Sequence, residues 1–148
     1  MERTRGSGPG GQRRNKVETA VVLHHTPTGV VARASDDRSP ERNRLAALRR
    51  LRLALAVAIR TSRTAPSALW TTRCRGGRIA VNPQHADVPP LLAETLDVLA
   101  ACDWDGRGAA TQLGTTQSQL VRLLAIHAPA LERWNAERTQ RGLSRLRK

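Results

Sequence analysis

A turn constrains this chain more than any other feature. TPTG, residues 26–29, places Pro and Gly at turn positions between two β-rich runs, VETAVVLHH (17–25) and VVARAS (30–35). Two such runs joined by so short a connection make an antiparallel hairpin. Ser39 followed by Pro40 then supplies an N-cap and a first-turn proline. Beyond them Leu45, Leu48, Leu51, Leu55 and Ile59 recur at helical spacing. The spacing predicts a helix over residues 40–61 that lays this stripe on the hairpin.

Charge narrows the partner. The 148 residues carry a net charge of +13, and all the basic residues except Lys16 and Lys148 are arginine, whose planar fork suits phosphate. Residues 1–63 hold 14 basic and 5 acidic residues, 64–106 hold 3 and 5, and 107–148 hold 8 and 2. Two basic ends flanking a near-neutral middle predict two nucleic-acid contact surfaces. On the predicted helix, Arg42, Arg44, Arg49, Arg50 and Arg52 occupy the other faces and are expected to turn toward RNA.

Composition excludes several alternatives. Phe and Tyr are absent and the aromatics are Trp70, Trp104 and Trp134, so the stacking platforms of sheet-type single-strand readers are missing. Cys74 and Cys102 are too few for a disulfide framework. Neither they nor His24, His25, His85 and His127 show close metal-ligand spacing, and no metal or cofactor is expected. No apolar run reaches about 18 residues and none follows a signal-peptide pattern. The expectation is a soluble cytoplasmic monomer without membrane contact.

The later chain reads as helical. Residues 64–86, rich in Thr, Pro and Gly, are expected to be a linker or an irregular bridge, with a short strand at most near Arg78–Asn82. From Pro90 onward Leu91, Leu92, Leu96, Val98 and Leu99 mark a helix ending near Cys102. Ala109, Ala110 and Leu113, then Gly114, then Leu120, Leu123 and Leu124 predict two short helices across a tight turn, the helix-turn-helix arrangement. Thr116, Gln117, Gln119 and Arg122 would face outward. Docking on RNA, a structural bundle and DNA binding all remain open for this module. Asp103 and Asp105 flank Trp104 and read as a helix-ending loop around a packing anchor, and the basic tail from Arg133 to Lys148 is expected to fray. The fold class expected is α+β: a small antiparallel sheet with a packed helix in a domain over 1–63, a linker over 64–86, and a helical module over 87–148.

Five of the six residues Gly6–Gly11 are Gly or Pro, and they run straight into Gln12. A phosphate-binding Walker loop needs Lys and then Ser or Thr after its last glycine, whereas Gln12 and Arg13 follow here. Gly6, Gly8 and Gly11 satisfy GxGxxG, but that fingerprint follows a strand and opens a helix. Only five residues precede Gly6, and a strand-like run comes after Gly11. By composition alone this would be a plain flexible loop.

The ordered set of Gly10, Gly11 and Gln12, then Asn15 and Lys16, then Pro27, Thr28 and Gly29, then the Ser39-headed basic helix, resembles the catalytic domain of class I peptide chain release factors and their ribosome-rescue relatives. The resemblance covers about residues 5–60. It implies hydrolysis of the peptidyl-tRNA ester on the ribosome, with Gly10, Gly11 and Gln12 as the catalytic residues. It further implies large-subunit ribosomal RNA and peptidyl-tRNA as partners. Arg13, Arg14, Asn15, Lys16, Arg42, Arg49, Arg52, Arg145, Arg147 and Lys148 are the expected RNA-binding residues. Arg14 stands where the family often has an apolar residue. A codon-reading domain is not found in these residues, so codon-independent rescue is expected. A non-catalytic RNA or nucleic-acid binding module that keeps the fold is the alternative. The family usually has strand residues ahead of the loop that pair with the hairpin, and with nine residues before Gly10 the expectation is that either the start is misassigned or the small sheet is incomplete, with reduced stability for the chain as given.

Overall fold

A computed structural model describes residues 2–4, 19–63 and 65–148. The chain divides into two compact units, Met1–Leu55 and Ala56–Lys148. Among the described residues no helix is long and apolar enough to cross a membrane.

In the first unit, β1 (Glu2–Thr4), β2 (Ala20–His25) and β3 (Val30–Ala34) form an antiparallel sheet in the order β1-β2-β3. The pairing of Glu2 with Val22 and of Thr4 with Ala20 corrects the expectation of a sheet lacking its leading strand. The hairpin is as the turn residues require. Gly29 sits at φ +70°, its N–H and that of Thr28 both donate to the His25 carbonyl, and His25 Nδ1 lies 2.7 Å from Thr28 Oγ1.

Helix α1 (Pro40–Ala58) starts where Ser39 and Pro40 predict. Ser39 Oγ accepts from the Arg42 N–H at 3.3 Å, and its carbonyl accepts from Asn43 N at 3.1 Å. The buried face follows the leucine stripe only in part, with Leu51 buried and Leu48 and Leu55 half-buried. Val21, Ala34 and Ala47 form the core of this unit with Leu23 and Ala46 packed against it, and Leu45 is 56% exposed. Small residues on the inner sheet face let the helix come close, which favours the Asn43, Ala47 and Leu51 line of one residue every fourth position over the bulkier leucines.

The second unit is helical: α2 (Ala68–Arg73), α3 (Val88–Ala101), α4 (Gly106–Gln112), α5 (Gln117–Leu124) and α6 (Ala128–Gln140), with a two-residue-per-strand hairpin of β4 (Cys74–Arg75) and β5 (Arg78–Ile79). Residues 64–86, expected as a linker, are folded where they are described. Ser67 caps α2, Trp70 is buried, and its Nε1 donates to the Leu113 carbonyl at 2.8 Å. The carboxylates of α3 explain why this Thr- and Pro-rich stretch is ordered. Glu94 accepts from both N and Oγ of Ser67 at 2.6 Å, and Asp97 accepts from Thr61 N at 3.1 Å and pairs with Arg60 at 3.0 Å.

The helix-turn-helix expectation is met by α4 and α5 around Gly114, at φ +62°. Asp105 caps α4 with both carboxylate oxygens, and Thr116 caps α5. Trp104 is an anchor as expected. It is buried, its carbonyl accepts from Trp134 Nε1 at 3.2 Å, and Arg133 lies 5.4 Å from its ring centroid. The expected frayed tail is corrected, because Trp134 and Asn135 are buried in α6 and Asn135 exchanges two hydrogen bonds with the backbone of Leu146.

Candidate functional site

Gly10, Gly11, Gln12, Arg13, Arg14, Asn15 and Lys16 lie outside the described residues. What is described is their anchorage. Thr4 and Ala20 are paired across β1 and β2, so the chain leaves and re-enters the sheet at the same end on either side of that segment. Thr19, the first described residue after it, is tied to α1: its carbonyl accepts from Asn43 Nδ2 at 2.6 Å.

Asn43 organises this region and is invisible to hydropathy. It is fully buried, its Nδ2 also donates to the Asp37 carbonyl at 2.8 Å, and its Oδ1 accepts from Asp37 N at 2.9 Å. A buried amide with every hydrogen placed costs little and fixes three backbone positions at once. The available signal was an Asn one helical turn before Ala47, on the same face. Asp37 continues the network, accepting from Ser39 N at 2.8 Å and pairing with Arg42 at 3.1 Å. The Ser39 N–H first, and then Arg42, hold the Asp37 carboxyl below the usual range.

The arginines of α1 are less isolated than their number suggests. Arg42 pairs with Asp37, Arg44 with Glu41 and Arg50 with Asp36, while Arg52 is exposed with no ion-pair partner among the described residues. Such exposed pairs are worth about 0–1 kcal/mol. The structure brings Arg42 beside the Asn43 network. Arg49 and Arg52 lie further along α1, and Arg145, Arg147 and Lys148 lie in the second unit, where Arg145 pairs with Glu132.

A family profile described as the RF-1 domain matches residues 1–79. Among curated proteins, peptide chain release factor 1 of Variovorax paradoxus is 45% identical over 64 residues, 43% of this chain and 18% of that protein. The Mitochondrial translation release factor in rescue of Danio rerio is 50% identical over 54 residues, 36% of this chain and 35% of that protein. Peptide chain release factor 1 of Frankia casuarinae is 33% identical over 128 residues, 72% of this chain and 36% of that protein. The chain thus spans 18% to 36% of the length of these relatives. No solved structure matches. With a sheet, turn and capped helix in the expected order and a match over more than half its length, the chain belongs to the RF-1 domain family.

Proposed function

We infer that this protein hydrolyses the ester joining a nascent peptide to tRNA on the ribosome, and that it does so without reading a stop codon, in ribosome rescue. The observation that carries the reading is the RF-1 domain match over residues 1–79, which contains Gly10, Gly11 and Gln12 in sequence. The anchoring of Thr4 and Thr19 on the sheet and on α1 supports it, since a loop reaching into an RNA site needs fixed roots. Likeness to the rescue factor of Danio rerio supports the codon-independent side.

The chemistry fits two glycines before a glutamine. Water attacks the ester carbonyl, an oxyanion develops, and the bond to the tRNA ribose oxygen breaks, that oxygen leaving as a hydroxyl with a proton from the water while the peptide departs as its carboxylic acid. Gly10 and Gly11 have no side chain to meet RNA and, as glycines, can take backbone angles closed to other residues, which would let the Gln12 N–H approach the oxyanion. One such donor is worth about 3 kcal/mol. Holding water and ester together supplies roughly 7 to 11 kcal/mol more. The Gln12 amide shapes the water site and is not a base. Arg13, Arg14, Asn15, Lys16, Arg42, Arg49 and Arg52 contact large-subunit ribosomal RNA in this reading. Arg145, Arg147 and Lys148 form a second contact, and the protein works as a cytoplasmic monomer.

The test is release of labelled peptide from ribosomes stalled on mRNA without a stop codon, compared with ribosomes holding a stop codon in the A site. Equal release from both supports rescue. Release confined to the stop codon overturns codon independence, and release from neither overturns the hydrolase reading.

A further inference from the structure

The second unit segregates its charge. Each of its acidic residues is engaged: Asp87 with Arg73, Glu94 with Ser67, Asp97 with Arg60, Asp103 and Glu137 with Arg141, Glu132 with Arg145, and Asp105 at the α4 cap. Residues 74–86 and 106–131 contain no acid at all, and the fold joins these two segments. Thr115 Oγ1 donates to the Gly77 carbonyl at 2.7 Å, and Ile79 N donates to Gln119 Oε1 at 3.4 Å. Arg75, Arg78 and Arg122 are exposed there, without an ion-pair partner among the described residues.

Two observations point to an anionic occupant. Arg75 and Arg78 stand directly opposite each other across β4 and β5, on either side of the Gly76–Gly77 turn. Like charges so placed repel, and only a ligand of opposite sign turns the arrangement to advantage. Arg78 and Arg122 also line a groove of about 240 Å³ with Ile79, Gln119, Leu123 and Ile126. That is below the ~300–1,000 Å³ of a small-molecule pocket. It sets two phosphate-binding forks on a narrow groove whose exposed lining is mainly polar.

We propose that the groove between β5 and α5 binds single-stranded RNA, with Arg75, Arg78 and Arg122 on phosphates of one strand. Duplex DNA is disfavoured because a groove of this size has room for one strand and not for two. The proposal does not rest on ester hydrolysis and is tested without ribosomes.

The experiment is fluorescence anisotropy of a short labelled single-stranded RNA with the full chain, set against duplex DNA of equal length. Arg78→Gln/Arg122→Gln is compared with Arg63→Gln/Arg107→Gln, an equal charge loss outside the groove. The groove pair is expected to weaken RNA binding roughly tenfold and to flatten the salt slope by about 1.4, at ~0.7 per phosphate contact. The control pair should change binding by about twofold through general electrostatics. Equal losses in both pairs, or duplex DNA bound as tightly as RNA and weakened as much by the groove pair, would overturn the proposal. Should the groove pair melt below wild type, Arg78→Lys/Arg122→Lys decides the matter. Charge retained in place is expected to keep most of the binding, and a loss as large as in the Gln pair overturns the proposal.

Discussion

Asn43 Nδ2 donates to the Thr19 carbonyl at 2.6 Å, so the chain re-enters the sheet at a point fixed by the helix. Asn43→Ala removes that bond and two more to Asp37, leaving buried backbone groups unpaired. The expected cost is about 2–4 kcal/mol, read as a lower thermal midpoint by far-UV circular dichroism. Asn43→Asp should be nearly as damaging, since a carboxylate cannot donate to either carbonyl.

Asp97 is buried beside Arg60, whose Nε has no partner of its own. Asp97→Ala leaves Arg60 only the Ala56 and Ala93 carbonyls and frees Thr61, at an expected cost of about 1–3 kcal/mol. Trp70, Trp104 and Trp134 all belong to this unit, so tryptophan fluorescence during urea titration follows it directly. An unchanged midpoint would show the ion pair to be dispensable.

Gly106 is needed for its absence of a side chain. A Cβ built there would lie 2.5 Å from Trp134 Cζ2, on a ring that is fully buried. Gly106→Ala is therefore expected to destabilise by about 1–3 kcal/mol through overpacking. The same urea titration reads it.

Asp37 sets an acid limit on the first unit. Its folded pKa lies below the ordinary 3.8 because the Ser39 N–H, and next Arg42, favour the carboxylate. A depressed pKa means stability that is present above the unfolded value and lost as pH falls through the folded one. From this group, stability is expected to be flat from neutral pH down to the carboxylate range and to fall below it. Asp37→Asn should remove the group's share of the acid dependence, as followed by circular dichroism.

Local chemistry was legible and long-range chemistry was not. TPTG and the Ser39–Pro40 pair act through their own backbone, so the hairpin and the start of α1 follow from sequence directly. Hydropathy ranks leucine above alanine and so turns Leu45 inward, whereas a sheet face of Val21, Ala32 and Ala34 rewards close approach and buries Leu51 of the stripe beside Ala47. Asn43 was overlooked for the same reason, as a polar residue enters a core only when partners far away in sequence satisfy it. Residues 64–86 lack periodicity of their own and are ordered by Glu94 and by the Leu113 carbonyl, contacts that no local window contains. The tail past Arg133 looked like solvated charge, yet Trp134 and Asn135 hold it.

The central claim concerns Gly10, Gly11 and Gln12. The most direct test is release of labelled peptide from ribosomes stalled without a stop codon, with wild type and Gly11→Val compared at equal ribosome occupancy. The account predicts release by wild type and a fall of at least about 100-fold in the variant, the scale of losing one oxyanion donor, with binding intact. Equal release by both proteins, or none from a folded, ribosome-bound wild type, would contradict it.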